Sequence, residues 1–199
     1  MALRAKNRNP PALALGLVAL AVAACASRAP VPEWQGNAAD ALQAFESRYL
    51  AGDSKGAETE FQIARSALTA TGRADLVARA ELVRCAARVA SLDFEPCSGF
   101  EALRDGAGPE EIAYAAYLEG RVPRQAANEP LARLVAHGVQ LRAARITPQD
   151  IGAAVDIASA QGWRRPLLAW LGVQLKRAED AGDSETAARL KRRIDLVSG

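Results

Sequence analysis

Apolar residues recur three and four positions apart along most of the chain after residue 37, and polar residues fill the positions between them. This spacing predicts helices that each bury one face. The first predicted helix covers about residues 38–50, and its apolar face is formed by Leu42, Phe45 and Tyr49. The second covers about residues 54–70, and its apolar face is formed by Ala57, Phe61, Ala64 and Leu68.

The third predicted helix, over about residues 73–90, has two apolar stripes instead of one. The first stripe consists of Leu76, Ala80, Val83, Ala87 and Ala90. The second stripe consists of Ala78, Leu82, Cys85 and Val89. Because a helix that is apolar on two faces buries both of them, we expect this helix to be sandwiched between layers of other helices.

Signals for the start and end of helices divide the rest of the chain. Residues 92–108 contain one proline and three glycines and are predicted to be irregular. Further helices are predicted over about residues 109–120, 129–144, 147–162, 166–180 and 184–196, several of which open with a proline. Gly138 predicts an interruption of the helix over residues 129–144. Alanine is abundant and aromatic residues are few, so the predicted fold class is all-α, with helices packed closely through small side chains.

One connection between predicted helices occurs twice. Residues 51–54 read Ala-Gly-Asp-Ser, and residues 181–184 repeat the same four residues. Glycine is a common helix stop, and Asp or Ser is a common N-cap of the next helix. Matching hairpins near both ends favour an array of helical hairpins. The alternative is that Gly-Asp-Ser is simply a frequent turn between helices.

The first hairpin resembles the tetratricopeptide repeat. The family's small-residue and aromatic positions are matched here by Gly52, Asp53, Ala57, Phe61 and Ala64. In contrast, Ala41 stands where an aromatic residue is usual, and no proline follows the second helix. The resemblance covers one repeat of about 34 residues. It implies a helical-hairpin array that presents a concave surface to a partner.

The amino-terminal segment has a different pattern. Three basic residues among the first nine, without an acid, precede an apolar run that ends in Val22-Ala23-Ala24-Cys25. The run is shorter than the about 20 apolar residues that span a bilayer, so it is predicted to be a secretory signal. Its last four residues resemble the lipobox of bacterial lipoproteins. The resemblance implies that residues 1–24 are removed and that Cys25 carries lipid chains; the alternative is an ordinary secreted protein cleaved before a cysteine.

The resemblance to lipoproteins also implies a location. In that family an Asp after the lipidated cysteine retains the protein in the inner membrane, whereas this chain has Ala26. We therefore expect the periplasmic face of the outer membrane, and the chain as a whole resembles uncharacterised lipoproteins of Gram-negative bacteria. Residues 25–36, which include two prolines, are predicted to be the lipidated cysteine and a stiff linker, and residues 37–199 the helical domain. Trp34 is expected to dock on this domain or to lie at the lipid interface.

Removal of the signal changes the charge of the chain. The 25 Lys and Arg residues fall to 22 while the 23 Asp and Glu residues remain, so the net charge becomes −1. This charge and the predicted compartment do not favour nucleic acid as a partner. Residues 37–111 carry a net charge of −5 and residues 163–199 one of +3. The basic end could face an anionic partner such as lipid head groups, or it could be a solvated helix surface.

Lipidation of Cys25 leaves two cysteines, Cys85 and Cys97. In an oxidising compartment such a pair predicts a disulfide, with two buried thiols as the alternative. Two cysteines and one distant histidine, His137, do not supply the four closely spaced ligands of a zinc site, so no metal site is predicted.

We find no catalytic constellation in the sequence. No nucleophile motif accompanies His137, and no Gly-rich phosphate loop suggests a cofactor. Unusual residues cluster in one place, and they are Trp163, Arg164, Arg165 and Trp170. Two arginines at a helix N-terminus could bind an anion, and the two tryptophans, seven apart on one face, could form the floor of a groove for a peptide or glycan. The alternative is that the tryptophans fill the core while the arginines stack on rings or pair with acids.

The leading functional hypothesis is a non-catalytic scaffold or adaptor that binds an envelope protein and is attached to the membrane by its lipid. Two other hypotheses are an enzyme acting on peptidoglycan, or an activator of one, and a carrier of an apolar ligand. The three predict different surfaces: an open groove for a scaffold, a deep cleft that gathers acids for an enzyme, and a closed apolar cavity for a carrier.

Overall fold

A computed structural model of the protein describes residues 32–199; the predicted signal, the lipidation site Cys25 and most of the predicted linker lie outside these residues. The described residues form helices and no strand, so the all-α prediction is confirmed. The helices are α1 (Glu33–Ala51), α2 (Ser54–Thr69), α3 (Ala74–Ala90), α4 (Ser98–Glu101), α5 (Pro109–Leu118), α6 (Pro130–Arg142), α7 (Pro148–Ala160), α8 (Arg164–Asp180) and α9 (Ser184–Ser198), with a 3₁₀ turn, Arg104–Gly106, between α4 and α5.

Helix α1 begins at Glu33, so the predicted boundary between linker and domain at residue 36 is wrong. Pro32 comes directly before the helix. Proline is tolerated there, because an N–H group at this position would have no partner within the helix. Glu33 then places a carboxylate in the first turn, where the helix dipole favours negative charge. Trp34 packs against the apolar cluster shared by α1, α2 and α3, which confirms that this side chain docks on the domain.

Helix α3 lies between the other helices, as its two apolar stripes predict. It contacts α1 and α2, and it also contacts α4, α5 and α6. Of the first stripe, Leu76, Ala80, Val83 and Ala87 pack in the cluster with α1 and α2. The second stripe packs in the larger cluster that extends to α9, and Ala90 belongs to this cluster instead of the first. The sandwich is therefore confirmed, with one residue placed in the other layer.

The two Gly-Asp-Ser connections have similar backbone conformations. Gly52 and Gly182 have φ angles of 100° and 68°, a region that side chains other than glycine rarely adopt. Asp53 and Asp183 are the N-caps, with ψ angles of 83° and 82°, and their carboxylates accept hydrogen bonds from backbone N–H groups of α2 and α9. The predicted glycine stops are confirmed, and of the two cap residues predicted at each turn, Asp or Ser, the cap is Asp.

The same pair of backbone conformations, a glycine with positive φ followed by the N-cap residue, also precedes α3 and α8. Its first residues are Gly72 and Gly162, and its second residues are Arg73 and Trp163, with ψ angles of 100° and 90°. Neither of these turns contains Asp or Ser at the second position. The backbone geometry before the second helix therefore explains the glycines at positions 52 and 182. The repeated residues do not require that the two hairpins share an ancestor.

Helix α6 continues through Gly138, so the predicted interruption there is wrong. Gly138 is buried against α3, and a Cβ atom at this position would lie 2.3 Å from the carbonyl oxygen of Val89. This glycine therefore permits a close approach of α6 to α3.

Contacts also join helices that are distant in sequence. Helix α1 contacts α8, so the first hairpin packs against the last. In a strictly sequential repeat array each unit would contact only its neighbours. None of the helices among residues 32–199 is both long and apolar enough to cross a membrane.

Candidate functional site

The two tryptophans of the predicted cluster do not form the floor of a groove. Trp170 is 0% exposed, and its indole N–H donates a hydrogen bond of 3.0 Å to the carbonyl oxygen of Ala90. Trp163 is half-buried at the N-cap position of α8 and packs against the same core. Trp170 therefore fills the core, as the alternative interpretation expected. The prediction that Trp170 binds a partner is wrong.

Arg165 holds the first hairpin against α8. Its Nε donates to the carbonyl oxygen of Tyr49 and its Nη2 to the hydroxyl of Ser54, each at 2.6 Å. Its guanidinium carbon lies 4.2 Å from the centre of the Tyr49 ring, a distance typical of a cation–π contact. These bonds connect α8 to both sides of the α1–α2 turn.

Arg164 is also engaged within the chain, since its Nη2 donates to the carbonyl oxygen of Ser198 at the end of α9. The predicted anion site would need Arg164 and Arg165 to turn their donors toward one ligand. In the structure they instead fasten α8 to different helices, and the predicted joint anion site is not assembled.

The predicted disulfide between Cys85 and Cys97 is present, and it joins α3 to the residue before α4. The two Cα atoms are 5.9 Å apart. It closes a loop that includes Leu92, which has a positive φ of 61°. A crosslink across a sequence separation of 12 stabilises the fold by about 3 kcal/mol in the chain-entropy description.

A cleft of about 420 Å³ lies beside this disulfide and is rich in paired charges. Arg88 donates two hydrogen bonds to Asp93, of 2.8 and 2.9 Å. Arg104 binds Glu101 in the same way, at 2.7 and 2.6 Å. These hydrogen bonds lower the pKa values of Asp93 and Glu101. The two carboxylates are therefore held in the ionised form, whereas a general acid must keep its proton near neutral pH.

His137 lies half-buried on α6, with its Nδ1 3.4 Å from the side-chain oxygen of Gln140 and 3.8 Å from a carboxylate oxygen of Asp150. Asp150 also forms a capping box with Thr147 at the start of α7. Over residues 32–199 no three His, Cys, Asp or Glu side chains come together as metal ligands.

A groove of about 1280 Å³ runs between α1 and α2. Its apolar part is formed by Ala41, Ala44, Ile63 and Ala67. Ile63 is 49% exposed and supplies the one large aliphatic side chain of this lining. We call this feature the hairpin groove.

Charged side chains line the rim of the hairpin groove. Glu60 pairs with Arg48 at 3.2 Å, and Glu58 pairs with Arg84 at 3.5 Å. These surface pairs neutralise two of the carboxylates that line the groove. The groove therefore combines a small-residue apolar floor with a rim of low net charge.

The hairpin groove was not predicted from the sequence, because no tryptophan and no cluster of arginines marks its residues. The available signal was Ile63, which lies off the apolar face of α2 defined by Ala57, Phe61, Ala64 and Leu68. Comparisons of the chain with models of protein families, with curated proteins and with solved structures find no match. The site defines the protein as an all-α domain with an open groove on its first hairpin.

Proposed function

We propose that this protein is a lipid-anchored adaptor at the periplasmic face of the outer membrane, and that it binds an envelope protein in the hairpin groove. The observation that carries the proposal is the open groove of about 1280 Å³ on α1 and α2. An open groove is the surface expected of a scaffold, whereas a carrier requires an enclosed apolar cavity. Helical hairpin proteins commonly bind partners along such surfaces.

Two features support the location. Val22 to Cys25 has the residue order of a lipobox, which provides an anchor of more than one acyl chain at Cys25. The disulfide between Cys85 and Cys97 supports export, because such bonds persist in oxidising compartments. A Cys25→Ala variant should leave the membrane fraction and lose lipid labelling. Unchanged fractionation of this variant would remove the anchor from the proposal.

The start of α1 keeps the groove near the membrane. Residues 26–32 separate Cys25 from Glu33, and seven residues extend over no more than ~25 Å. Asn37 and Asp40, which line the groove, follow within the first turns of α1. A partner bound there would be held beside the membrane surface.

The floor of the groove indicates the kind of segment that fits it. Ala41, Ala44 and Ala67 are small, so a partner's backbone can approach α1 and α2 closely, and Ile63 offers an apolar contact. An amphipathic helix that lays its apolar face in the groove satisfies both conditions. We therefore propose an amphipathic helix of an envelope protein as the bound segment.

Crosslinking in living cells tests this proposal. A photoreactive residue at position 63 should capture a partner through an amphipathic helix, because Ile63 lies in the groove. The matched control is position 196, since Leu196 is 82% exposed on α9 and does not line the groove. The same captured proteins at both positions, or no capture at position 63, would contradict the proposed role of the groove.

A further inference from the structure

A second groove, formed by α7, α8 and α9, has a volume of about 530 Å³ and is lined by Arg177, Arg189 and Arg193. Its floor consists of buried apolar side chains, among them Ile151, Ala178 and Leu190. We call this feature the arginine groove. It does not include the predicted arginines at positions 164 and 165.

The charges of the three arginines are not neutralised by ion pairs among the described residues. None of the three has a carboxylate within 4.0 Å there, whereas many arginines of the amino-terminal half, such as Arg79 and Arg88, do. The acids at the end of α8 are used elsewhere, since Glu179 pairs with Lys191 and Asp180 with Lys176.

Neutral groups hold two of the arginines in place. Arg189 donates to the hydroxyl of Thr186 at 3.2 Å, and Arg193 donates to the hydroxyl of Ser159 at 3.3 Å. Asp183 is the one acid that lines the groove, and its carboxylate accepts the backbone N–H of Thr186 as the cap of α9. The lining therefore carries three positive charges and one negative charge, a net charge of +2.

The matched turns at residues 51–54 and 181–184 allow the two grooves to be compared. They align Thr59 with Arg189 and Ile63 with Arg193, and all four residues line the respective grooves. These two corresponding positions are thus uncharged in the first hairpin and basic in the last. The difference indicates different ligands for the two grooves.

We propose that the arginine groove binds a phosphate group. Each guanidinium has five N–H donors in a planar fork, which matches phosphate oxygens in pairs. Three guanidinium groups offer more N–H donors than the two oxygens of a carboxylate accept. A phosphate ester presents up to three free oxygens and about two negative charges, so it can accept more of these hydrogen bonds. The net charge of +2 complements that group. This phosphate monoester can belong to a lipid such as phosphatidic acid or to a soluble molecule.

Nuclear magnetic resonance of the arginine side chains tests the proposal on the full chain in neutral detergent. Glycerol phosphate should shift the Nε–H signals of Arg177, Arg189 and Arg193 if the ligand is soluble. Phosphatidic acid, whose head group is a phosphate monoester, should shift them when added to the micelles if the ligand is a lipid, and phosphatidylcholine should not. Succinate, which has two carboxylates, should bind more weakly than glycerol phosphate.

Charge-matched variants provide the control. Arg189→Gln and Arg193→Gln should each weaken phosphate binding about tenfold, because charge-assisted hydrogen bonds are lost. Arg192→Gln removes the same charge from α9 outside the groove, and it should leave the affinity within about twofold. Equal weakening by all three variants, equal binding of succinate, or no shift with either phosphate source would overturn the proposal.

Discussion

Replacing Gly138 with alanine gives the sharpest test of the packing, because local and tertiary effects have opposite signs. Alanine is a better helix former than glycine by about 1 kcal/mol, so the helix propensity of α6 alone predicts a more stable protein. In the structure, however, a Cβ at this position would lie 2.3 Å from the carbonyl oxygen of Val89.

The size of the tertiary effect follows from that distance. A carbon and a carbonyl oxygen in favourable contact lie about 3.3 Å or more apart, so α3 and α6 must separate by roughly 1 Å. Because the neighbouring atom is the backbone oxygen of Val89, no side-chain rotation relieves the overlap. Overpacking of this kind costs about 1–3 kcal/mol. We expect a net loss of about 1–2 kcal/mol after the gain in helix propensity, which lowers the melting temperature by roughly 2–8 °C for a chain of this length.

The matched control is Gly172→Ala in α8, where an added Cβ meets nothing within 4 Å. This variant should gain about 0.5–1 kcal/mol. Both variants can be measured by urea unfolding followed by far-UV circular dichroism, with the disulfide intact. If Gly138→Ala is as stable as Gly172→Ala, the proposed close contact between α6 and α3 is refuted.

Three further predictions concern side chains in or near the core. Reduction of the disulfide between Cys85 and Cys97 should lower the free energy of unfolding by about 3 kcal/mol. Thiol titration of the unfolded, unreduced protein should find neither of these two thiols free. Two reactive thiols would contradict the presence of the disulfide. Arg165→Met should lower the free energy of unfolding by about 2 kcal/mol, because it removes two hydrogen bonds and the contact with the Tyr49 ring. Arg164→Met should lower it by less than half as much. Equal losses of stability in the two variants would refute the special role of Arg165. Burial, and secondarily the charge of Glu129, raises the pKa of Glu46, so its ionised form opposes folding above the unfolded value of 4.5. Glu46→Gln should therefore stabilise the protein at pH 7, and the gain should disappear as the pH falls through the folded and then the unfolded pKa of Glu46; a gain that does not change with pH would contradict this cause.

The sequence predicted the parts of the fold that depend on local pattern. The two stripes of α3 were readable because a helix of fixed period places residues three and four apart on one side. The caps at Asp53 and Asp183 were readable because a short acid reaches only the N–H groups of the next turn. The disulfide followed from a pair of cysteines and the predicted compartment.

The predicted cluster around Trp163 shows where such reasoning failed. The residues were correctly noted as unusual, but their partners lie far away in sequence. Trp170 donates a hydrogen bond to Ala90, and Arg165 donates to Tyr49 and Ser54. The spacing of residues within α8 contains no information about these partners.

By itself, the sequence determined that the protein is helical, where most helices end and that α3 carries two buried faces, because these properties depend on neighbours within one turn. It also carries the predicted signal and anchor at Cys25. Only the tertiary structure decided that Gly138 lets α3 approach α6 closely and that Arg165 holds the first hairpin against the last. It also decided that the hairpin groove and the arginine groove are exposed. These features depend on which helix faces meet, and that choice is made by the packing of the whole domain.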